Sequence, residues 1–284
     1  MRWRSWIIVT LMPWFLGCSA VRLSYNQGPT LAYWWLDGYA DFSADQAPRV
    51  RAALQDWFSW HRATQLPDYA QGLATLQALA VDNVTAAQVC STVSAWQRRL
   101  ERAYDEAVPA IAEQLRTLTP AQIDHIERRQ ARKQEELAEN YLQPDPAERH
   151  KAALARTVDQ AELVYGPLSE GQRRQLAAML LVSPFDAERW LTERRLRQAD
   201  IVRRLRLWLA ERPDRSTVQA GLRLIAAQTL LSPRADYQAY ATRLQEANCA
   251  LIARLHNSTT PAQRQRAAER LKGWEDDLRA LAAP

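Results

Sequence analysis

The chain has 284 residues, 47% of them hydrophobic and 24% charged, which is too apolar for a disordered chain and long enough to bury a real core. Its formal net charge of +5 is modest, and two of the basic residues, Arg2 and Arg4, precede an apolar run that reads as a cleaved leader. Without residues 1–17 the chain keeps 284 − 17 = 267 residues and a charge of 35 − 32 = +3, so charge gives little support to nucleic-acid binding.

The N-terminus is the clearest motif. Arg2 and Arg4, the apolar stretch from Trp6 to Leu16, and Gly17-Cys18 have the order of a bacterial lipoprotein signal, and the apolar stretch is too short to cross a bilayer as a helix. Phe15 stands where the lipobox usually has Leu. The reading makes residues 1–17 a signal peptide and Cys18 the acylated mature N-terminus. Ser19, rather than Asp, follows the cysteine, which by resemblance to lipoprotein sorting rules implies the periplasmic face of the outer membrane. With Cys18 acylated, Cys90 and Cys249 are left as an even pair in an oxidising compartment. They are either a disulfide between an early and a late helix or two buried free thiols.

Residues 18–42 form a tether and an aromatic-rich first helix, with Tyr25, Leu31, Tyr33, Trp34, Trp35, Tyr39 and Phe42 close to the attachment point. Aromatic residues favour a membrane interface. The segment has little Lys or Arg for a headgroup face, and the expectation is that Leu31, Trp34 or Trp35, and Gly38 or Tyr39 cover the bundle.

From residue 43 onward the pattern is helical, with Ala, Leu, Arg, Gln and Glu abundant and only eight glycines in the whole chain. Val89, Val93, Trp96, Leu100, Tyr104, Ala107 and Ile111 lie on one stripe, and Ala267, Leu271, Trp274, Leu278 and Leu281 on another. Prolines at 67, 144, 146, 167, 184, 213 and 233 mark boundaries. Helices are predicted at about 30–40, 44–65, 67–80, 86–116, 120–142, 147–164, 170–182, 184–211, 214–231, 234–257 and 261–282, each end uncertain by about 2–4 residues. The fold class is all-α, a multi-helix bundle over 43–284 with a possible division at 143–146. Five starts carry Ser or Thr three residues before Gln: Ser43 with Gln46, Thr85 with Gln88, Thr119 with Gln122, Ser169 with Gln172, and Thr260 with Gln263. Each is a capping box.

Two resemblances follow from these residues. Leu118-Thr119-Pro-Ala-Gln122 and Leu168-Ser169-Glu-Gly-Gln172 resemble the Leu-Thr-x-x-Gln repeats of the small helical periplasmic chaperones of the Spy-like family, which implies chaperone-like handling of unfolding clients. The second resemblance covers more of the chain. It rests on Cys18, Tyr25-Asn26, Trp35-Leu36-Asp37-Gly-Tyr39, Trp60-His61-Arg62, Leu66-Pro67-Asp-Tyr69 and Tyr165-Gly-Pro-Leu-Ser169-x-x-Gln172. Together these are similar to a family of uncharacterised helical bacterial lipoproteins, which implies location and fold but no activity.

Candidate chemistry is sparse. His61, beside Trp60 and Arg62, is either a cleft or acid–base histidine near Tyr69, the basis of an alternative envelope-enzyme reading, or a helix-end histidine packed under the Leu66-Pro67 turn. No metal motif, nucleophile elbow or phosphate-cradling loop occurs, so no cofactor, metal or catalytic set is expected. Residues 189–212 hold eight arginines against Glu193, Asp200 and Glu211, a balance of 8 − 3 = +5. Arg194, Arg197 and Arg204 are the candidate contacts for anionic lipid headgroups, lipopolysaccharide phosphates or an acidic envelope client; otherwise they are a solvated, partly paired helix face. The expected role is non-enzymatic binding, scaffolding or chaperone-like handling, with the membrane reached through the N-terminal lipid.

Overall fold

The computed structural model describes residues 20–283, which form eleven α-helices and, among the described residues, no strand. In chain order these are α1 (Ala20–Asn26), α2 (Gly28–Ala40), α3 (Ala47–Ala80), α4 (Ala86–Leu115), α5 (Pro120–Tyr141) and α6 (Pro146–Tyr165). They are followed by α7 (Glu170–Leu181), α8 (Ala187–Glu211), α9 (Arg215–Leu230), α10 (Ala235–Asn257) and α11 (Pro261–Ala282). The all-α bundle is what the periodicity demands. Cys18 and the leader lie outside the described residues.

Two details depart from the sequence reading. A short helix, α1, precedes α2. The predicted boundary at Pro67 is also absent, and α3 runs unbroken for 34 residues. An internal proline forfeits a backbone hydrogen bond and costs about 3 kcal/mol. Here the residue before it, Leu66, is 1% exposed, Ala70 is fully buried, and α3 packs along most of α11. Burial along that face offsets the lost bond. Pro109 sits inside α4 in the same way, between the fully buried Val108 and Ala112.

Among the described residues, buried apolar side chains gather in four clusters. Leu73, Ala80, Ala267 and Leu271 join α3 to α11, and Val158, Ala161, Leu168, Leu176 and Leu255 join α6, α7 and α10. Val108, Ala112, Val218 and Leu222 join α4 to α9, while Leu118, Ile123, Val202 and Leu205 seat α8 on α5. The chain on either side of residues 143–146 is interlocked, because α11 returns to α3 and α10 returns to α4. Cys90 of α4 and Cys249 of α10 are disulfide-bonded, with their Cα atoms 5.5 Å apart.

The capping boxes do more than cap. Thr85, Thr119, Ser169 and Thr260 each accept from the amide three residues on, with the Gln side chain returning to the cap. Ser43 and Gln46 make the same pair of bonds in the turn just before α3. Four of the five boxes are then coupled in twos. Gln122 Nε2 donates to Gln46 Oε1 at 2.7 Å and to the Asp41 carbonyl, and Gln46 Nε2 donates to the Thr117 carbonyl. Gln172 Nε2 donates to Gln263 Oε1 at 2.8 Å and to the Ser258 carbonyl, and Gln263 Nε2 donates to the Pro167 carbonyl. In both junctions each glutamine reaches the carbonyl two residues ahead of its partner's capping residue. The two junctions therefore follow one local two-fold rule.

Candidate functional site

The arginine-rich stretch is α8. Asp186 caps it by accepting from the Arg189 amide, and Leu191, Val202 and Leu205 bury its apolar side. With that side seated on α5, the arginines on the other side line a groove of 520 Å³ between α8, α9 and the start of α10. Arg197, Arg203, Arg204 and Arg234 face it, accompanied by Asp200 and by the apolar Ile201, Leu207, Ile225 and Pro233.

Not all of that charge is available. Arg234 donates to Glu193 at 3.0 Å and to Asp200, and Arg203 donates to Asp200 at 2.7 Å. Glu193 is 3% exposed and also accepts from the Ser232 hydroxyl. This pairing satisfies a buried carboxylate that would otherwise be costly. Arg197 spends one terminal nitrogen on the Thr229 carbonyl at 3.0 Å. Arg204 has no ion pair among the described residues. Four guanidiniums against Asp200 and the Glu193 that Arg234 pairs with leave the groove at 4 − 2 = +2. An anion entering it would find donors at Arg204, Arg197 and Arg203 and apolar walls beside them. A guanidinium fork suits phosphate or carboxylate oxygens.

The three arginines singled out by sequence are therefore split. Arg197 and Arg204 line the groove, whereas Arg194 is absent from its wall and stacks over the Trp190 ring at 5.2 Å. Its Nε is buried without a partner. Burial, and then the neighbouring Arg197, hold its pKa below the usual guanidinium value. Arg203 and Arg234 were missed. Arg234 lies two helices further on, and only the turn between α9 and α10 brings it to α8.

His61 and Tyr69 do come together, with ring centroids 5.3 Å apart. The histidine is buried in an aromatic box. Trp57 stacks on it at 4.6 Å, and the Tyr25 hydroxyl lies 2.8 Å from Nδ1. Burial pushes the Tyr25 phenol up to about 12 and lowers the His61 pKa. The pair is therefore a neutral phenol hydrogen-bonded to a neutral imidazole near pH 7. Burial, followed by Asp68, raises Tyr69 as well, and its hydroxyl is buried without a partner, as is Gln65 Oε1. Neither the α8–α9 groove nor the 390 Å³ groove between α5 and α8 includes His61, Tyr25 or Tyr69. The box thus holds an imidazole without a carboxylate partner among the described residues, and neither groove reaches it. A second pair with the same contact escaped sequence reading: the Tyr165 hydroxyl lies 2.9 Å from His256 Nδ1.

Among the described residues no group of three or more His, Cys, Asp or Glu is placed to hold a metal ion. No described helix is long and apolar enough to cross a membrane. A family model described as a family of unknown function (DUF6279) matches residues 38–238. No curated protein and no solved structure matches the chain.

Proposed function

The chain belongs to this family of unknown function, and since membership brings no activity with it, we propose from its own residues that it is a non-enzymatic binding protein of the cell envelope. In this reading acylation of Cys18 holds it to the periplasmic face of the outer membrane, and the α8–α9 groove takes an anionic amphiphile. The observation that carries the binding role is the groove itself. Arg204 is unpaired, Arg197 and Arg203 keep free donors, and Ile201, Leu207 and Ile225 offer an apolar wall in the same 520 Å³. A phosphate or carboxylate head with a short apolar body matches both features. The Cys90–Cys249 bond supports an oxidising compartment.

Lysophosphatidylglycerol below its micellar concentration is a suitable probe, titrated into the Cys18→Ser chain. The triple substitution Arg197→Gln, Arg203→Gln and Arg204→Gln is expected to weaken binding by roughly tenfold or more and to flatten its salt dependence, with helicity unchanged. Equal affinity of the two proteins would sink the groove as the binding site. Chaperone-like handling of a client is a second reading, favoured by Leu181 and Val182, which are 70% and 81% exposed at the end of α7. It would show as ATP-independent suppression of client aggregation that the three arginine substitutions leave intact.

A further inference from the structure

A second surface, on α1 and α2, is unusually apolar for one turned to water. The outward residues of α2 are Leu31, Trp34, Trp35 and Gly38, spaced three, one and three apart on one stripe. Trp34 is 62% exposed, Trp35 64% and Leu31 48%, and Leu23 of α1 adds a further 64%. The sequence expectation that this side would cover the bundle is thereby corrected. Tyr33 is the residue of α2 that turns inward, under the Arg51 guanidinium 3.5 Å from its ring centroid. A helix face turned to water is normally polar, so a contiguous apolar stripe in that place marks a partner.

We infer that the Leu23, Leu31, Trp34 and Trp35 surface of α1 and α2 lies in the headgroup region of the lipid leaflet that holds the anchor. The inference rests on the reading of Cys18 as the acylated residue. Two peptide steps separate Cys18 from Ala20, the first residue of α1, a span of at most about 7.6 Å. The helix so tethered is itself fixed to the body. Arg22 bonds Asp277 of α11 at 2.7 Å, Tyr25 meets His61, and Asn26 accepts from Arg62 at 2.8 Å. A lipid at Cys18 therefore brings the α1–α2 end to the bilayer surface with no length of linker to hold it away. Tryptophan suits that depth, with its ring among the upper acyl chains and its N–H among the headgroups. Arg51 of α3 and Arg129 of α5 flank α2, the latter 5.6 Å from the Tyr39 ring. Both are exposed, with no ion pair among the described residues, and are positioned for anionic headgroups.

The test reconstitutes the acylated protein in phosphatidylethanolamine–phosphatidylglycerol vesicles, with and without brominated acyl chains, and reads tryptophan quenching. Replacing Trp34 and Trp35 by Phe is expected to cut the quenched share of emission at least twofold while the protein stays on the vesicles. Unchanged quenching in a vesicle-bound protein overturns the inference and leaves the anchor intact. A second arm uses the Cys18→Ser chain, whose partition onto the same vesicles should fall roughly tenfold or more when Trp34 and Trp35 become Ser. Palmitate-analogue labelling that fails at Cys18 sinks the anchor reading, and this arm then still reports on the surface alone. If the two Trp→Ser changes instead convert a dimer to a monomer without altering vesicle partition, the surface belongs to a second copy and the inference falls.

Discussion

Five helix starts carry the same Ser/Thr-x-x-Gln box, yet the start of α4 is fastened quite differently from the starts of α3, α5, α7 and α11. The latter four meet in two pairs through buried glutamines, which leave no side-chain polar atom of Gln46, Gln122, Gln172 or Gln263 without a partner. At α4, Gln88 is exposed and serves its own cap alone. Its place is taken by the Cys90–Cys249 bond and by a clamp on the loop ahead of it. Asn257 exchanges two hydrogen bonds of 2.9 Å with Val84, His256 Nε2 donates to the Asp82 carbonyl at 2.7 Å, and Arg264 reaches the Val81 carbonyl. A capping box supplies about 1 kcal/mol to its own helix; what it contributes to the tertiary structure depends on what its spare Nε2 meets.

The covalent fastening carries the largest expected effect. Cys90 and Cys249 are 159 residues apart, and closing so long a loop stabilises by roughly 4–5 kcal/mol in the chain-entropy model. The Cys90→Ser, Cys249→Ser protein is expected to unfold at much lower urea than the parent, with the loss concentrated where α4 meets α10. Hydrogen exchange would locate it. A midpoint equal to that of the oxidised parent would show that the loop clamp suffices without the bond.

The glutamine junctions come next. Gln122→Ala removes two donors and an acceptor from a buried site and takes from the Asp41 carbonyl its Gln122 donor, for an expected loss of about 2–4 kcal/mol. Gln88→Ala, in an identical box at the surface, should cost less than about 1 kcal/mol. Urea denaturation of both proteins checks the contrast, and a double-mutant cycle between Gln46 and Gln122 measures the coupling directly. Equal losses at Gln122 and Gln88 would mean that the buried pairing adds nothing to the cap.

Much of this fold was legible in the sequence because helix periodicity and capping are local. Breakers at 144, 167, 184, 213 and 233 fall between helices, Pro146 opens α6, and α8 to α11 begin and end within a few residues of expectation. Pro67 was misread because its cost is local while the compensation, packing of α3 on α11, comes from some 200 residues away in the chain. The glutamine pairs were invisible for a related reason. A capping box accounts for Oε1, and nothing in the pattern says that the Nε2 of Gln122 meets the Oε1 of Gln46, 76 residues away. The candidate groove was half legible: α8 announced its arginines, but which of them share a cavity depends on α9 and on Arg234. The outward turn of Trp34 and Trp35 was one of two readings left open, since an aromatic stripe has the same spacing whether it packs inward or outward.

The smallest expected effect separates the two kinds of junction by pH. The glutamine pairs hold no ionisable group, whereas the α4 clamp depends on His256. Burial lowers its pKa below 6.5, opposed by the hydrogen bond to Asp82 and reinforced by the Arg264 charge. With Nε2–H committed to Asp82, Nδ1 must accept from the Tyr165 hydroxyl, whose own pKa burial raises. A proton on Nδ1 would remove that acceptor. Because the folded value lies below the unfolded one, the unfolded chain binds more protons in the interval. Stability is therefore full above about pH 6.5 and declines as pH falls toward the folded value. His61, lowered by burial in its own box, acts in the same direction. Thermal unfolding between pH 7.5 and 5 should thus show a falling midpoint whose slope is reduced by His256→Gln and reduced again by adding His61→Gln. Hydrogen exchange at pH 5 should loosen residues 81–85 before it loosens either glutamine junction. Simultaneous loosening of all three would tie the pH response to the whole fold and abolish the distinction between them.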